Sequence, residues 1–288
     1  MARIVMGNRD GPLALAQARS AISELASEWP DIHLVQKTVP ASGNVGEFEA
    51  LFNALEKGAI NIALVSLERL PDTLPEGITL ASVTKRLEPR SALIAKGKRS
   101  LEQLSDRAAI GVGSERDAAF LHASGLNLAA QVMSGSIDSA LNMLASGDLE
   151  AVLVPCSTLI ALDRRDQMDA LLDPEVFVPA VGVGSVGLLV KEEDDNAFEV
   201  AYTLQHRPSF DRVRAERSFQ KALREEGLSV GALASVTADG ELSLLGAVAL
   251  DGGPVVQATT SGEASEAQEL GTMLAQDVLQ QLKAIKAG

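Results

Sequence analysis

Short apolar runs alternate with stretches in which apolar residues return every third or fourth position, through roughly the first two hundred residues. The pattern predicts a strand at 3–6 and a helix at 12–29. That helix rests on the spacing of Leu15, Ala18, Ile22 and Leu25, with Pro12 in its first turn, where proline is tolerated. A strand at 33–39, a helix at 46–57 and a strand at 60–65 follow. This order implies a mainly parallel sheet with helices on both faces.

A second set repeats the plan. Strands are predicted at 108–112, 131–133 and 150–154, and helices at 114–123 and 137–144. The chain then returns through 179–187 to a strand at 188–191. Beyond residue 205 the grammar changes to a charged helix at 210–226 and strands at 230–237, 242–250 and 255–259. Ala238-Asp239-Gly240-Glu241 reads as the hairpin turn between the first two of these strands. A last helix at 263–286 carries apolar residues at Ala267, Leu270, Leu274, Val278 and Leu282. The expectation is an α/β protein of three domains. Two lobes of the type II periplasmic-binding-protein kind span 1–86 with 184–204, and 87–183. A small α+β domain spans 205–288. Ligands of such paired lobes sit in the cleft between them.

Composition narrows the function classes. The chain has 288 residues, 46% hydrophobic and 22% charged, which suits folded domains rather than disorder. Aromatics are only 3%, so the cores must be aliphatic. A formal charge of −14 argues against nucleic acid and against anionic membranes as partners. The apolar runs are too short to span a bilayer, and residues 1–7 read as a first strand rather than a signal peptide. Cys156 is the only cysteine, which excludes an internal disulfide and implies a reducing cytoplasm. It reads as a buried structural residue. His33, His122 and His206 are far apart, so no metal is expected.

Two glycine patterns need context. Gly182-x-Gly184-x-x-Gly187 has the spacing of a dinucleotide fingerprint, but it precedes a strand instead of opening a helix, and reads as a turn. Gly111-x-Gly113-Ser114 precedes a helix, whose free N–H groups favour an anion.

Four ordered motifs carry a family resemblance. Gly7-Asn8-Arg9-Asp10-Gly11-Pro12-Leu13-Ala14-Leu15-Ala16-Gln17-Ala18, Glu88-Pro89-Arg90-Ser91-Ala92, Pro179 through Gly187, and Arg214-Ala215-Glu216-Arg217 are similar to segments of the hydroxymethylbilane synthases, or porphobilinogen deaminases. The resemblance implies an ancestry in tetrapyrrole (haem) biosynthesis, where this family joins four pyrrole units. It also implies an aspartate acid/base at the end of the strand at 60–65, and arginines that hold the acetate and propionate groups of the substrate. Last, it implies a third-domain cysteine carrying a covalent dipyrromethane primer.

Against that pattern, Arg69 stands at the family's Asp position and Glu68 at its Lys position. Guanidinium does not exchange protons near neutral pH. Glu68 is a weak substitute, because neighbours on an extended segment point opposite ways. Arg9 and Arg116 keep family arginine positions and Ser66 keeps a family serine. Asp117, Ser134, Ala140 and Ala161 replace further basic positions. Gly227 lies near the family's cysteine position, beside Glu225 and Glu226, and a short loop at 41–46 replaces a longer lid. Glu216 and Arg217 read as an interdomain bridge.

The expectation is therefore a monomeric, non-catalytic pseudoenzyme. It would bind a small anionic or pyrrolic ligand in the interlobe cleft through Arg9, Ser66, Arg69, Ser114 and Arg116, with the dipyrromethane cofactor not expected. Two other readings stand beside it: an active synthase with its acid/base relocated, and a regulatory scaffold that binds a protein partner.

Overall fold

The computed structural model describes residues 2–41, 46–223, 228–250 and 253–287. The chain divides into two compact units, Met1–Leu87 with Gly184–Phe210, and Glu88–Val183 with Asp211–Gly288.

The first unit opens with β1 (Ala2–Asn8), α1 (Pro12–Glu28), β2 (Ile32–Thr38), α2 (Glu47–Glu56), β3 (Ile62–Ser66) and β4 (Ile78–Val83). Strand β1 pairs in parallel with both β2 and β3. The chain then builds the second unit's sheet from β5 (Ser91–Ala95), β6 (Ala109–Val112), α3 (Glu115–Ala123), β7 (Ala129–Val132), α4 (Ile137–Ser146), β8 (Ala151–Pro155), α5 (Cys156–Ala161) and β9 (Ala170–Leu171). It returns to the first unit with β10 (Val186–Lys191) and α6 (Asp195–Tyr202), and continues into α7 (Arg207–Ala222). An antiparallel sheet of β11 (Ser229–Val236), β12 (Glu241–Ala249) and β13 (Val255–Glu263), backed by α8 (Ala267–Ala287), completes the second unit.

The two α/β sheets run β2-β1-β3-β10-β4 and β7-β6-β8-β5-β9, and both mix parallel and antiparallel pairs. Both are less parallel than the sequence pattern predicts. Strand β10 is antiparallel to β3 and β4, and β5 is antiparallel to β8 and β9. Periodicity reports only that a strand is buried. A strand entering the sheet from a distant part of the chain carries no local signal of its direction. Strands β4, β5 and β9 and helices α5 and α6 are additions to the expected set.

Aliphatic side chains fill both cores. In the first unit, Met6, Ile62, Leu64, Leu188 and Val190 meet Ala18, Ala21 and Leu25 of α1 and Ala197, Val200 and Ala201 of α6. Helix α2 lies against β1, β3 and β10 and buries Leu51, Phe52 and Leu55. In the second unit, Phe219 of α7 and Leu270, Leu274 and Val278 of α8 pack on Leu242, Leu244 and Val248 of β12.

Candidate functional site

Strands β1 and β3 are parallel neighbours, with Met6 opposite Ile62 and Gly7 opposite Ala63. Their carboxyl ends, Asn8 and Ser66, therefore lie at one end of the sheet, where open α/β sheets expose ligand-binding residues. Arg9 leaves β1 there, and a 3-10 turn, Leu67–Arg69, leaves β3.

Buried polar contacts fix both exits. The Asn8 side chain is 1% exposed; its Nδ2 donates to the Arg9 carbonyl at 2.7 Å and its Oδ1 accepts from Gln36 Nε2 at 3.1 Å. Ser66 Oγ donates to Gln17 Oε1 of α1 at 2.9 Å. Leu67 is buried, its N–H donates to the Ser185 carbonyl at 3.1 Å, and its carbonyl accepts from Leu70 N–H at 3.2 Å. Gly187 makes room for it, since a Cβ there would lie 2.5 Å from Leu67 Cδ2. The sequence pattern predicts an extended segment here. As a 3-10 turn it rotates successive side chains by about 120° rather than alternating them. Glu68 is half-buried in that turn and Arg69 is exposed.

Arg9 is one-fifth exposed and forms an ion pair with Glu47, the first residue of α2, which is about half exposed. Burial, and after it the charge of nearby Arg69, hold the Arg9 guanidinium below its ordinary value. It stays cationic at neutral pH. The exits of β1 and β3 thus carry two guanidinium groups whose charges feel each other, with Ser66 at the end of β3 between them in the chain order of the site. Such forks recognise carboxylates.

Ser114 and Arg116 belong to the second unit. Ser114 caps α3, accepting from Asp117 N–H at 3.2 Å and donating to Asp117 Oδ2 at 2.8 Å. A carboxylate of the chain itself is therefore held at this helix N-terminus. Arg116 turns inward. It donates Nε to the Val230 carbonyl at 2.9 Å, Nη1 to Asp117 Oδ1 at 2.7 Å and Nη2 to the Val178 carbonyl. Its guanidinium also lies over the Phe120 ring, 4.2 Å from the centroid. Gly231 is required for this approach, because a Cβ there would lie 2.5 Å from Arg116 Nη2. Gly227 and most of the expected lid lie outside the described residues. The pairing of Glu47 with Arg9 has no motif signal. Asn8 and Gln17 are visible as polar positions inside a matched segment.

The model of the family described as porphobilinogen deaminase, dipyrromethane cofactor binding domain, matches residues 4–199. Porphobilinogen deaminase of Thermus thermophilus is 38% identical over 288 residues, 96% of each chain. That of Deinococcus radiodurans is 35% identical over 302 aligned positions, covering 97% of this chain and 96% of the relative. This chain belongs to the porphobilinogen deaminase family. Among solved structures, the substrate-binding protein of an amino acid ABC transporter is 14% identical with a TM-score of 0.41, over 78% of this chain and 95% of that one.

The family match corrects one expectation. The substitutions around Gly227 argue against dipyrromethane, yet the matched model is that of the domain which binds it. Arg9 and Arg69 suit the carboxylates that group carries. A thioether link to Cys156 does not fit: the residue is 3% exposed, packed among Ala92, Ile94 and Leu159, and burial, then Glu88, pushes its thiol up. Among the described residues, no helix is long and apolar enough to cross a membrane, and no group of three or more His, Cys, Asp or Glu is placed to hold a metal.

Proposed function

We propose that this member of the porphobilinogen deaminase family binds a small pyrrole bearing carboxylates at the end of β1 and β3, through Arg9 and Arg69, without turning it over. The carrying observation is Arg69 itself, a cation beside Arg9 at the position where the family's acid/base aspartate is expected. An aspartate can take up and release a proton during pyrrole coupling. A guanidinium cannot near neutral pH, but it holds an anion well. A dipyrromethane bound by this chain would be held through its carboxylates at the same two residues, not through sulfur. The lone buried cysteine also fits a reducing, cytoplasmic setting.

Calorimetry of the full chain with porphobilinogen tests the site: wild-type protein binds, Arg9→Ala abolishes the heat and Arg69→Ala weakens binding by about tenfold. Porphobilinogen consumption and intact mass test the lack of turnover. Consumption that disappears in Glu68→Gln would establish an active synthase with a relocated acid. Absence of binding, with a protein recovered in stable stoichiometric complex, would favour the scaffold.

A further inference from the structure

We infer that Glu47 is a built-in competitor for the Arg9 guanidinium, so that an incoming anion must displace a carboxylate of the chain itself. The inference rests on the proposed anion site and adds a residue that sets its affinity. Three features support a displaceable contact over a purely structural one.

The first is electrostatic. Arg9 and Arg69 are like charges close enough to interact, and Arg9 is only one-fifth exposed. A carboxylate at Arg9 relieves that repulsion in the same way that a ligand carboxylate would. Glu47 is thus a stand-in for the ligand group.

The second is exposure of the side chain. Glu47 is about half exposed, and its salt bridge is with Arg9. A half-exposed carboxylate regains water when it leaves Arg9, which keeps its displacement cheap.

The third is an alternative home. Glu47 is the first residue of α2, and Gly46 at the N-cap supplies no side-chain hydrogen bond to the opening turn. Unpaired N–H groups at a helix start and the positive end of the helix dipole stabilise a nearby carboxylate. A displaced Glu47 carboxylate keeps a favourable position there, which makes exchange with a ligand inexpensive.

Calorimetry of wild-type, Glu47→Gln, Arg9→Ala and the Arg9→Ala/Glu47→Gln double variant, each with porphobilinogen and with succinate, tests this. Glutamine keeps the size of the side chain and removes its charge. Glu47→Gln should tighten binding by about fivefold, the scale of one partly exposed ion pair. The Arg9→Ala/Glu47→Gln double variant should remain without binding, and binding restored in it would overturn the competitor role. Binding that Arg9→Ala abolishes but Glu47→Gln leaves unchanged or weakens overturns the competitor role and leaves the anion site standing. No binding of either probe to wild-type or Glu47→Gln overturns both.

Discussion

Glu216 receives the backbone N–H of Gly182 at 2.8 Å in a fully buried contact, and its other carboxylate oxygen receives the N–H of Ala234 at 2.8 Å. One side chain of α7 thereby joins the glycine turn before β10 to strand β11. Charge-assisted bonds of this kind are stronger than neutral ones. Glu216→Gln presents an NH2 group to one of the two donors and leaves that N–H unsatisfied. The loss of stability should be about 2–3 kcal/mol, measured by urea unfolding followed by circular dichroism.

Arg116 should behave as a stabilising residue. Arg116→Ala strands the Val178 and Val230 carbonyls and uncovers Phe120, so stability should fall by about 2–4 kcal/mol. Arg116→Lys should recover only part of this, because an ammonium lacks the planar fork. Both variants, where folded, should bind porphobilinogen with wild-type affinity by calorimetry. A folded variant that has lost binding would make Arg116 a ligand residue.

Cys156 should resist modification. A thiol reagent at pH 8 should leave the native chain unlabelled and label it fully in urea, read by intact mass. The folded thiol is raised above its ordinary value, so the unfolded chain gives up its proton first as the pH climbs. Stability should therefore decline with pH from about 8.5 upward, and Cys156→Ala should make that decline shallower.

Charge at position 69 should set anion affinity in order of sign. Arg69→Gln should weaken porphobilinogen binding by about tenfold, and Arg69→Asp by more, since it adds repulsion to the loss of attraction. A gain of porphobilinogen consumption in Arg69→Asp would show that one substitution separates this chain from catalysis.

Much of this architecture is legible in the amino-acid sequence. Alternating apolar segments mark most strands of both α/β sheets, and the matched motifs point to the family. The direction of β10 is not legible, because its partners Ile62–Ser66 and Ile78–Val83 lie about a hundred residues away and pairing leaves no local trace. The inward turn of Arg116 is hidden for a related reason: its partners Val178 and Val230 offer backbone carbonyls, which any residue supplies. Arg9 and Arg69 are readable as charges, but their closeness follows from the β1–β3 register. Glu47 lies in a segment where the pattern speaks only of helix.

The position of β10 between β3 and β4 also bears on biogenesis. A nascent chain that has released only residues through Val83 holds strands whose central neighbour has not been made. Both facing edges stay open until Lys191 has left the ribosome, after the whole of the second α/β sheet has had time to form. The sheet that begins first is thus finished second, and its exposed strand edges mark the interval in which a growing chain most needs a chaperone.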